Sequence, residues 1–474
     1  MNVTNQTIGS RLENLPLSWF HYAMLAVVGF MQLFDGYDLL MSGLAIPTLK
    51  EIGWLDSSTT APFLSIPLAS AAFGAIVAGW IGDRIGRRFL FVLNVSSYSL
   101  LSVGCGVAPN ITSLIVLRTL TMFVLGMQIV TGYSYLNEFV PARYRGRFQA
   151  AISLLVNAGL PCGALYAKFI LLSFESHFAW RLLFLVSILP LLVLIFFHRF
   201  LPESPRWLCS VNRTERANEI VKKIEELVGA VPVSQAHGAH SLYVERSFTE
   251  WSDLFRQPVR RRFLLAVVFM TVHLVAIAVV ASWLPYILSI SGMSKSGSLT
   301  FAAISFSGGF FGPLIGIAVA DRLERRWLIV GASVLCVLSA AGFGFFTSLM
   351  PLLIVSFVLV SSIFFLSSVG MASYVPEILP TGIRLRGSGA SMFCGRIASS
   401  LAQIWIVSII ASGVRPFSIV IATGSTYLVV ALIVAWIGPN TRGKTLEQLE
   451  QDSCEGTLGA PDLLHATNRQ ASAD

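Results

Sequence analysis

Charge is scarce in this sequence. Asp, Glu, Lys and Arg together make up 12% of its 474 residues, and 55% of the residues are hydrophobic. Soluble domains carry about a quarter charged residues, so the composition excludes a soluble globular protein or a soluble solenoid. It predicts a chain that crosses a membrane many times, and a lipid bilayer is its expected environment.

Patterns that carry enzyme chemistry are missing as well. The six cysteines have neither CxxC nor metal-ligand spacing, so we expect no zinc site, no disulfide and no redox role. There is no Walker A motif and no nucleophile–base arrangement, so we expect neither ATP hydrolysis nor other enzyme activity, and no cofactor. The N-terminus lacks the basic and short apolar regions of a signal peptide, so the first apolar run is expected to stay as a membrane span.

Twelve apolar runs are long enough to cross a bilayer. They lie near 19–47, 60–81, 89–108, 112–136, 147–172, 180–200, 263–290, 298–320, 328–347, 351–374, 388–410 and 415–437. The predicted fold class is therefore an all-α membrane protein with twelve transmembrane helices.

A polar stretch at 201–262 separates the first six runs from the last six, and residues 213–228 within it form a candidate amphipathic helix. The sequence thus predicts an N-terminal six-helix half at 1–200 and a cytoplasmic linker with short helices at 201–262. A C-terminal six-helix half follows at 263–438, and a polar cytoplasmic tail at 439–474.

Basic residues are unevenly divided between the two sets of loops. The loops after even-numbered runs carry most of the Lys and Arg, whereas the opposite loops carry only Lys50, Lys168, Arg181, Lys295 and Arg415. Loops rich in Lys and Arg stay in the cytoplasm, so both termini are predicted to be cytoplasmic. The net charge of +8 is then a topology signal, and no nucleic-acid partner is expected. We expect a monomer in a cell inner membrane.

Two motifs occur twice at nearly one offset. GDRIGRR at 82–88 returns as ADRLERR at 320–326, an offset of 238, and YLNEFVP at 135–141 returns as YVPEILP at 374–380, an offset of 239. The halves are therefore predicted to be duplicates. An even number of spans separates them, so they share one orientation, which is a known plan of transporters with a site between parallel repeats.

The repeated loops predict a gate. Topology alone explains their arginines, but it does not explain acids that repeat in register, and such acids can pair with arginines that separate when two halves rock. The predicted gate residues are Asp83, Arg84, Arg87, Arg88, Glu138, Arg145, Asp321, Arg322, Arg325, Arg326, Glu377 and Arg386.

Two aspartates lie inside the first apolar run. Asp35 and Asp38 are three residues apart and therefore share one helix face. Each acid costs about 2.5–3.5 kcal/mol at mid-membrane depth, so a structural ion pair or a proton or substrate site has to compensate. Arg118 of the fourth run lies at a similar depth to Asp38, so one aspartate is expected to pair with Arg118 and the other to titrate. The sequence leaves open which of the two titrates.

Further polar residues within the runs are candidates for substrate binding. Arg396 can grip a carboxylate through two parallel hydrogen bonds or bind a structural partner, and Arg118 is the second candidate anchor. His273 can relay protons, donate to a substrate or simply bond a neighbouring helix. Tyr37, between the two aspartates, completes the predicted substrate-binding set.

These motifs resemble the major facilitator superfamily over residues 19–450. Its most specific marker, a D-R-x-x-R-R loop after spans 2 and 8, occurs at 83–88 and 321–326. PESPRWL at 202–208 and PNTRGKTL at 439–446 resemble its motifs after spans 6 and 12, with Asn440 where Glu is usual.

Within the superfamily, DGYD at 35–38, WLP at 283–285 and GR at 395–396 resemble the aromatic acid:proton symporters and related metabolite:proton symporters. The Gln- and Asn-rich signature of sugar porters is absent from run 7. Met122 stands where the family has a glycine, so packing near span 4, and with it the substrate, is expected to differ.

The resemblance implies proton-coupled uptake of a small organic anion, with an aromatic carboxylate favoured, and it assigns proton coupling to Asp35 and Asp38. Small organic substrate and protons are thus the expected partners. The alternatives are a transporter of a sugar, polyol or organic cation, an exporter, and a membrane sensor that binds ligand without moving it.

Overall fold

The computed structural model describes residues 8–228, 251–257, 259–290, 292–319, 323–346, 348–379 and 384–440. Within these ranges every regular element is a helix, and twelve helices are long and apolar enough to cross a membrane. The prediction of an all-α membrane protein with twelve spans is confirmed.

The spans follow the predicted apolar runs and extend several of them. Spans 1 to 6 are Trp19–Glu51, Ser57–Ile85, Arg87–Gly106, Ile111–Asn137, Ala142–Ser173 and Ser176–Phe197. Spans 7 to 12 are Val259–Ile290, Lys295–Val319, Arg325–Phe345, Leu349–Glu377, Arg384–Ala411 and Phe417–Ile437. Span 10 contains a π-helical segment at Ser367–Tyr374.

Polar side chains define the start of spans 2 and 4. Asp56 caps span 2, because its carboxylate accepts the backbone N–H groups of Ser58 and Thr59 at 2.8 and 2.7 Å. Asn110 caps span 4 in the same way and accepts the N–H of Ser113 at 2.8 Å. These side chains satisfy backbone donors that a helix leaves free at its N-terminus.

The two halves use the same helix pairings. Span 2 packs along span 4 and span 8 along span 10, while span 1 packs along span 5 and span 7 along span 11. Gly74 lies against the carbonyl oxygen of Phe123, and Gly312 lies against that of Ser361. Gly74 and Gly312 are 238 positions apart, and so are Phe123 and Ser361. The repeat offset of 238 therefore holds through this part of each half.

The π-helical segment of span 10 accounts for the change of offset to 239. The offset of 238 still holds just before the segment. The backbone of Met127 lies against Gly74 of span 2, and the backbone of Phe365 lies against the equivalent Gly312 of span 8. At the last residue of the π-helical segment, Tyr374 corresponds to Tyr135 at an offset of 239. Hydrogen bonds in a π-helix join residues five apart instead of four, so span 10 accommodates one additional residue there.

The two halves meet through spans 1 and 7, 2 and 11, and 5 and 8. Gly43 of span 1 lies against the backbone of Ser282 of span 7, and Ser400 of span 11 donates to the carbonyl oxygen of Ser65 of span 2 at 2.7 Å. The end of the bundle at which spans 1 and 7 meet is termed the contact end. The other end, which carries the repeated arginine motifs, is termed the basic end.

Short helices cover the basic end of the N-terminal half. Helices Pro205–Ser210 and Thr214–Val228 follow span 6, and the second matches the predicted amphipathic helix. Arg11 of the N-terminal helix Ile8–Glu13 donates to both carboxylate oxygens of Glu225 at 2.9 and 2.6 Å, and these hydrogen bonds raise the pKa of Arg11.

The predicted linker and tail are covered only in part. Residues 229–250 of the linker and 441–474 of the tail lie outside the described residues. The division of the chain into two halves, a linker and a tail stays a prediction.

Candidate substrate and proton site

Span 1 carries its two aspartates where it lies closest to span 5. A Cβ at Gly36, between them, would overlap the carbonyl oxygen of Val156, and a Cβ at Gly159 would overlap the backbone of span 1. The glycine of the DGYD motif therefore permits the close approach of the two helices. It holds both acids in the interior of the bundle, where Asp35 is 8% exposed and Asp38 is 0% exposed.

Asp38 and Arg118 form a fully buried ion pair within the N-terminal half. Arg118 Nη1 donates to Asp38 Oδ1 at 2.8 Å, and Arg118 Nη2 donates to Ser42 Oγ at 2.9 Å. The guanidinium carbon lies 5.2 Å from the ring centroid of Phe184. This is the pairing that the depths of the two charges along spans 1 and 4 indicated. Each charge compensates the other, as burial of an ion pair requires.

Asp35 has a different environment. Neither of its carboxylate oxygens accepts a hydrogen bond from the described part of the chain, although both are buried. Asp38 repels this carboxylate, and Arg396 of span 11 attracts it. The two acids share a helix face but interact with different arginines, one in each half of the molecule.

Arg396 faces Asp35 from the C-terminal half. Its side chain is deep in the bundle yet partly exposed, and its charge interacts with that of Asp35 of span 1. A Cβ at Gly395 would press on the backbone of Met270 in span 7, so this glycine lets span 11 approach span 7 closely. A guanidinium in this position can bind a carboxylate through two parallel hydrogen bonds.

Tyr37, a predicted substrate contact, lies inside the N-terminal half. Its hydroxyl donates to the carbonyl oxygen of Leu183 in span 6 at 2.6 Å, and its ring centroid is 6.1 Å from that of Tyr166 in span 5. The hydroxyl is already bonded, and the structure does not bring it to Asp35 and Arg396.

His273, another predicted substrate contact, lies in the interior of the C-terminal half. It is fully buried and stacks on Phe269. Its ring nitrogens bond to Tyr427 Oη in span 12 and to Ser367 Oγ in span 10, both at 2.9 Å. His273 thus joins three spans of one half, and the structure does not bring it to Arg396.

Among the described side chains, the repeated motifs at the basic end form an ion pair in each half. Arg87 Nε lies 4.0 Å from Glu138 Oε1 in the N-terminal half, and Arg325 pairs with Glu377 in the C-terminal half. The repeated glutamates Glu138 and Glu377 therefore each pair with an arginine of the repeated loop in the same half.

The last arginine of each motif bonds to the end of a neighbouring span. Arg88 donates its backbone N–H to Glu203 Oε1 and its Nη2 to the carbonyl oxygen of His198, both at 2.9 Å. Arg326 donates to the carbonyl oxygen of Ala435 in span 12.

The remaining predicted gate residues are only partly described. Arg84 and Arg386 are exposed, and the guanidinium carbon of Arg386 lies 5.9 Å from the ring centroid of Trp251. Outside the described residues and side chains lie Asp321, Arg322 and the side chains of Asp83 and Arg145.

Two contacts were not predicted from the sequence. Trp283 of the WLP motif donates its indole N–H to Gln403 Oε1 of span 11. Lys50, interpreted only as a loop charge, donates to Tyr286 Oη of span 7 at 2.9 Å. In both cases the sequence signal is one polar residue near the end of an apolar run, and its partner lies more than a hundred residues away.

The candidate site combines opposite charges from the two halves. Within the described ranges no three His, Cys, Asp or Glu side chains converge as metal ligands would. The charges that face each other across the halves are one carboxylate and one guanidinium, which suit a proton and an organic anion.

Residues 22–452 match the family model described as Sugar (and other) transporter. The chain belongs to this family. Putative metabolite transport protein YdjK of Escherichia coli (strain K12) is 30% identical over 455 residues, which cover 95% of this chain and 98% of that protein. Niacin transporter NiaP of Acinetobacter baylyi is 29% identical, with 93% and 99% covered. A gallate transporter of Pseudomonas putida is 26% identical, with 83% and 86% covered.

Solved structures of a xylose transporter share the fold. The partially occluded inward open conformation of XylE from E. coli matches with a TM-score of 0.71 at 17% identity, covering 89% of this chain and 100% of that one. XylE is a major facilitator superfamily protein, so the chain has the major facilitator fold. The family confirms the prediction of a transporter of this superfamily, related to metabolite and aromatic acid transporters, and not of an enzyme.

Proposed function

We propose that this transporter is a proton-coupled symporter that takes up a small organic anion, with an aromatic carboxylate as its substrate. The observation that carries the proposal is the opposition of Asp35 and Arg396 across the two halves. A carboxylate without hydrogen bonds and a guanidinium beside the same space suit one proton and one anion. Niacin and gallate, named as substrates of two relatives, are both aromatic carboxylates and support the same substrate class.

Charge balance provides the coupling. Asp35 and the carboxylate of the substrate compete for the guanidinium of Arg396. When Asp35 binds a proton, its attraction to Arg396 is lost, and the guanidinium can hold the substrate with two hydrogen bonds. Release of the proton restores the attraction and displaces the anion. One proton then moves with one monoanion, no net charge crosses the membrane, and accumulation follows the pH gradient.

Asp38 has a different task in this scheme. Arg118 already pairs with Asp38, so Arg396 is the preferred anchor for the substrate and Arg118 the second. Asp38 repels the carboxylate of Asp35, so Asp38 is expected to influence the pH dependence that Asp35 imparts.

Rocking of the halves would expose the site to each side in turn. The halves are joined at the contact end, so the space between Asp35 and Arg396 is reached from the basic end. In the state that is open at the contact end, the ion pairs Arg87–Glu138 and Arg325–Glu377 at the basic end would approach one another. In the predicted orientation this end faces the cytoplasm, and the chain is a monomer in the inner membrane with both termini inside.

Transport by the purified protein in liposomes tests the proposal. Benzoate, niacin and gallate are offered beside xylose and a quaternary amine, and accumulation is followed after an inward pH gradient is imposed. We expect accumulation of the carboxylates alone. Asp35→Asn should keep exchange of labelled for unlabelled substrate but lose accumulation driven by pH, and Arg396→Gln should lose both.

Two matched variants serve as controls. Arg396→Lys keeps the positive charge but removes the two parallel N–H donors of the guanidinium. It should therefore weaken substrate binding more than it changes the pH dependence of transport. Asp56→Asn alters an exposed acid outside the spans and should transport the substrate as wild type does. Accumulation by Asp35→Asn equal to wild type would overturn the coupling scheme. Transport of xylose or the amine without the carboxylates would overturn the substrate class, and binding without exchange would indicate a sensor.

A further inference from the structure

A groove in the C-terminal half is not used by the proposed transport scheme. Spans 8 and 9 both pack against span 10, and an apolar cavity of about 500 Å³ lies between them. It extends from Phe311, in the middle of span 8, to Trp327, at the basic end of span 9. Phe311, Ile315 and Trp327 are about half exposed along it, so the groove opens on the outer surface of the bundle.

The internal repeat shows why the groove exists. At the offset of 238, Gly331 takes the place of Leu93, and Ser361 takes the place of Phe123. In the N-terminal half, Phe123 packs with the residues of spans 2 and 3 that correspond to the groove lining. The C-terminal half lacks these two large side chains. A Cβ added at Gly331 would meet no atom within 4 Å.

The location of the groove limits what can cover it. Its lining belongs to membrane-spanning segments and is almost entirely apolar, so its surroundings are lipid chains and not water. Apolar walls without partner atoms forfeit dispersion contacts. A flexible, unbranched acyl chain can follow an apolar groove of this shape along the spans.

The basic end of the groove supplies the matching polar chemistry. Trp327 is 57% exposed there, as is typical of tryptophan at the membrane–water interface. The guanidinium carbon of Arg326 lies 5.4 Å from the Trp327 ring centroid, and the Arg326 side chain is partly exposed. An anionic phosphate is the lipid group that fits an arginine beside an indole N–H.

We infer that spans 8, 9 and 10 hold one acyl chain of an anionic bilayer phospholipid, with its phosphate at Arg326 and Trp327. The inference does not depend on the substrate of the transporter. It places a lipid directly behind span 8, whose Gly309 packs on Leu160 of the other half, so the bound chain would support a helix of the moving interface.

Native mass spectrometry of the full chain tests the site. The protein is delipidated in detergent and titrated with phosphatidylglycerol or phosphatidylethanolamine. We expect wild type to retain one phosphatidylglycerol more than Gly331→Leu, which restores the leucine of the N-terminal half and fills the groove. Leu338→Phe enlarges another exposed residue of span 9 outside the groove and should retain the lipid. Equal retention by wild type and Gly331→Leu would overturn the site, and equal retention of both lipids would overturn the anionic headgroup.

A second measurement covers the case in which Gly331→Leu does not fold. Phosphatidylglycerol with brominated chains quenches nearby tryptophan, and the difference between wild type and Trp327→Phe isolates the Trp327 signal. We expect that signal to be quenched at lipid concentrations that leave the remaining tryptophans largely unaffected. An unquenched Trp327, or a second polypeptide that copurifies with wild type and protects Trp327, would contradict the inference.

Discussion

Lys50 of span 1 donates to the hydroxyl of Tyr286 of span 7 at 2.9 Å, and this bond joins the two halves at the contact end. The ammonium nitrogen is also 4.5 Å from the Tyr286 ring centroid. Closer to the basic end than this bond, Gly43 contacts the backbone of Ser282 without an intervening side chain. Opening of the contact end has to break these contacts, so the bond favours the state in which this end is closed.

Replacement of Lys50 by Met should shift the balance toward the state open at the contact end. A partly exposed hydrogen bond to a charged group contributes about 1 kcal/mol, which corresponds to a change of roughly fivefold in the ratio of the two states. Spin labels at the contact ends of spans 1 and 7 would report the change as a larger long-distance fraction. Lys168→Met, at another lysine of the same side, should leave the distances unchanged. If Lys50→Met also leaves the distances unchanged, the bond between Lys50 and Tyr286 does not bias the equilibrium between the two states.

The ion pair of Asp38 and Arg118 should dominate the stability of the N-terminal half. Arg118→Leu leaves a buried carboxylate without its counter-charge, and loss of one partner of such a pair costs about 3–5 kcal/mol. The thermal unfolding midpoint in detergent should fall accordingly. Asp38→Asn combined with Arg118→Leu should be more stable than Arg118→Leu alone, because the unpaired charge is gone.

A double-mutant cycle measures this coupling directly. It needs the unfolding free energies of wild type, the two single variants and the double variant under one set of conditions. Strictly additive effects would show that the two side chains do not act as a unit. Arg181→Leu, which removes an arginine bonded to the carbonyl oxygens of Gly106 and Ala108 and not to an acid, should show no coupling with Asp38→Asn.

The Asp56 cap should make the start of span 2 sensitive to acid. Hydrogen bonds from Ser58 and Thr59 lower the pKa of Asp56 to about 2, whereas an unfolded aspartate titrates near about 3.9. The charged cap therefore stabilises the fold above about pH 4 and loses this effect as the pH falls toward about 2. Asn can cap a helix without titrating.

The unfolding midpoints of wild type and Asp56→Asn should thus differ at neutral pH and converge on acidification. Because both proteins share every other titrating group, the difference isolates Asp56. A difference that stays constant from pH 7 to pH 2 would show that the charge of the cap contributes nothing to stability.

Hydropathy and charge placement predicted the spans because a bilayer imposes both on any helix that crosses it. Depth along two helices indicated the pairing of Asp38 with Arg118. The partner of Asp35 could not be predicted in this way, because residues three apart share a face wide enough to meet two neighbouring helices. Only the packing of span 1 between span 4 and the opposite half separates the two acids.

Tyr37 and His273 illustrate a second limit of the sequence. A buried helix in a bundle is apolar on most of its surface, so its sequence does not mark which side faces a cavity. His273 was compatible with a substrate contact and with a bond to a neighbouring helix, and Tyr37 was predicted as a substrate contact. The structure gives each of them a bond within its own half. By contrast, the change of repeat offset from 238 to 239 was visible in the sequence, but its location in span 10 was not.

The π-helical segment of span 10 has a consequence for exchanging parts between the halves. In genetic terms, span 10 is one codon longer than span 4 over the equivalent stretch. Tyr135 lies eight residues after Met127 in span 4, and Tyr374 lies nine residues after Phe365 in span 10. A chimera joined before Ser367 has to align residues that are 238 positions apart. A chimera joined after Tyr374 has to align residues that are 239 positions apart. A graft that ignores this difference would turn every side chain beyond the junction by about 100°, the angle of one residue in an α-helix, and would direct Glu377 away from Arg325.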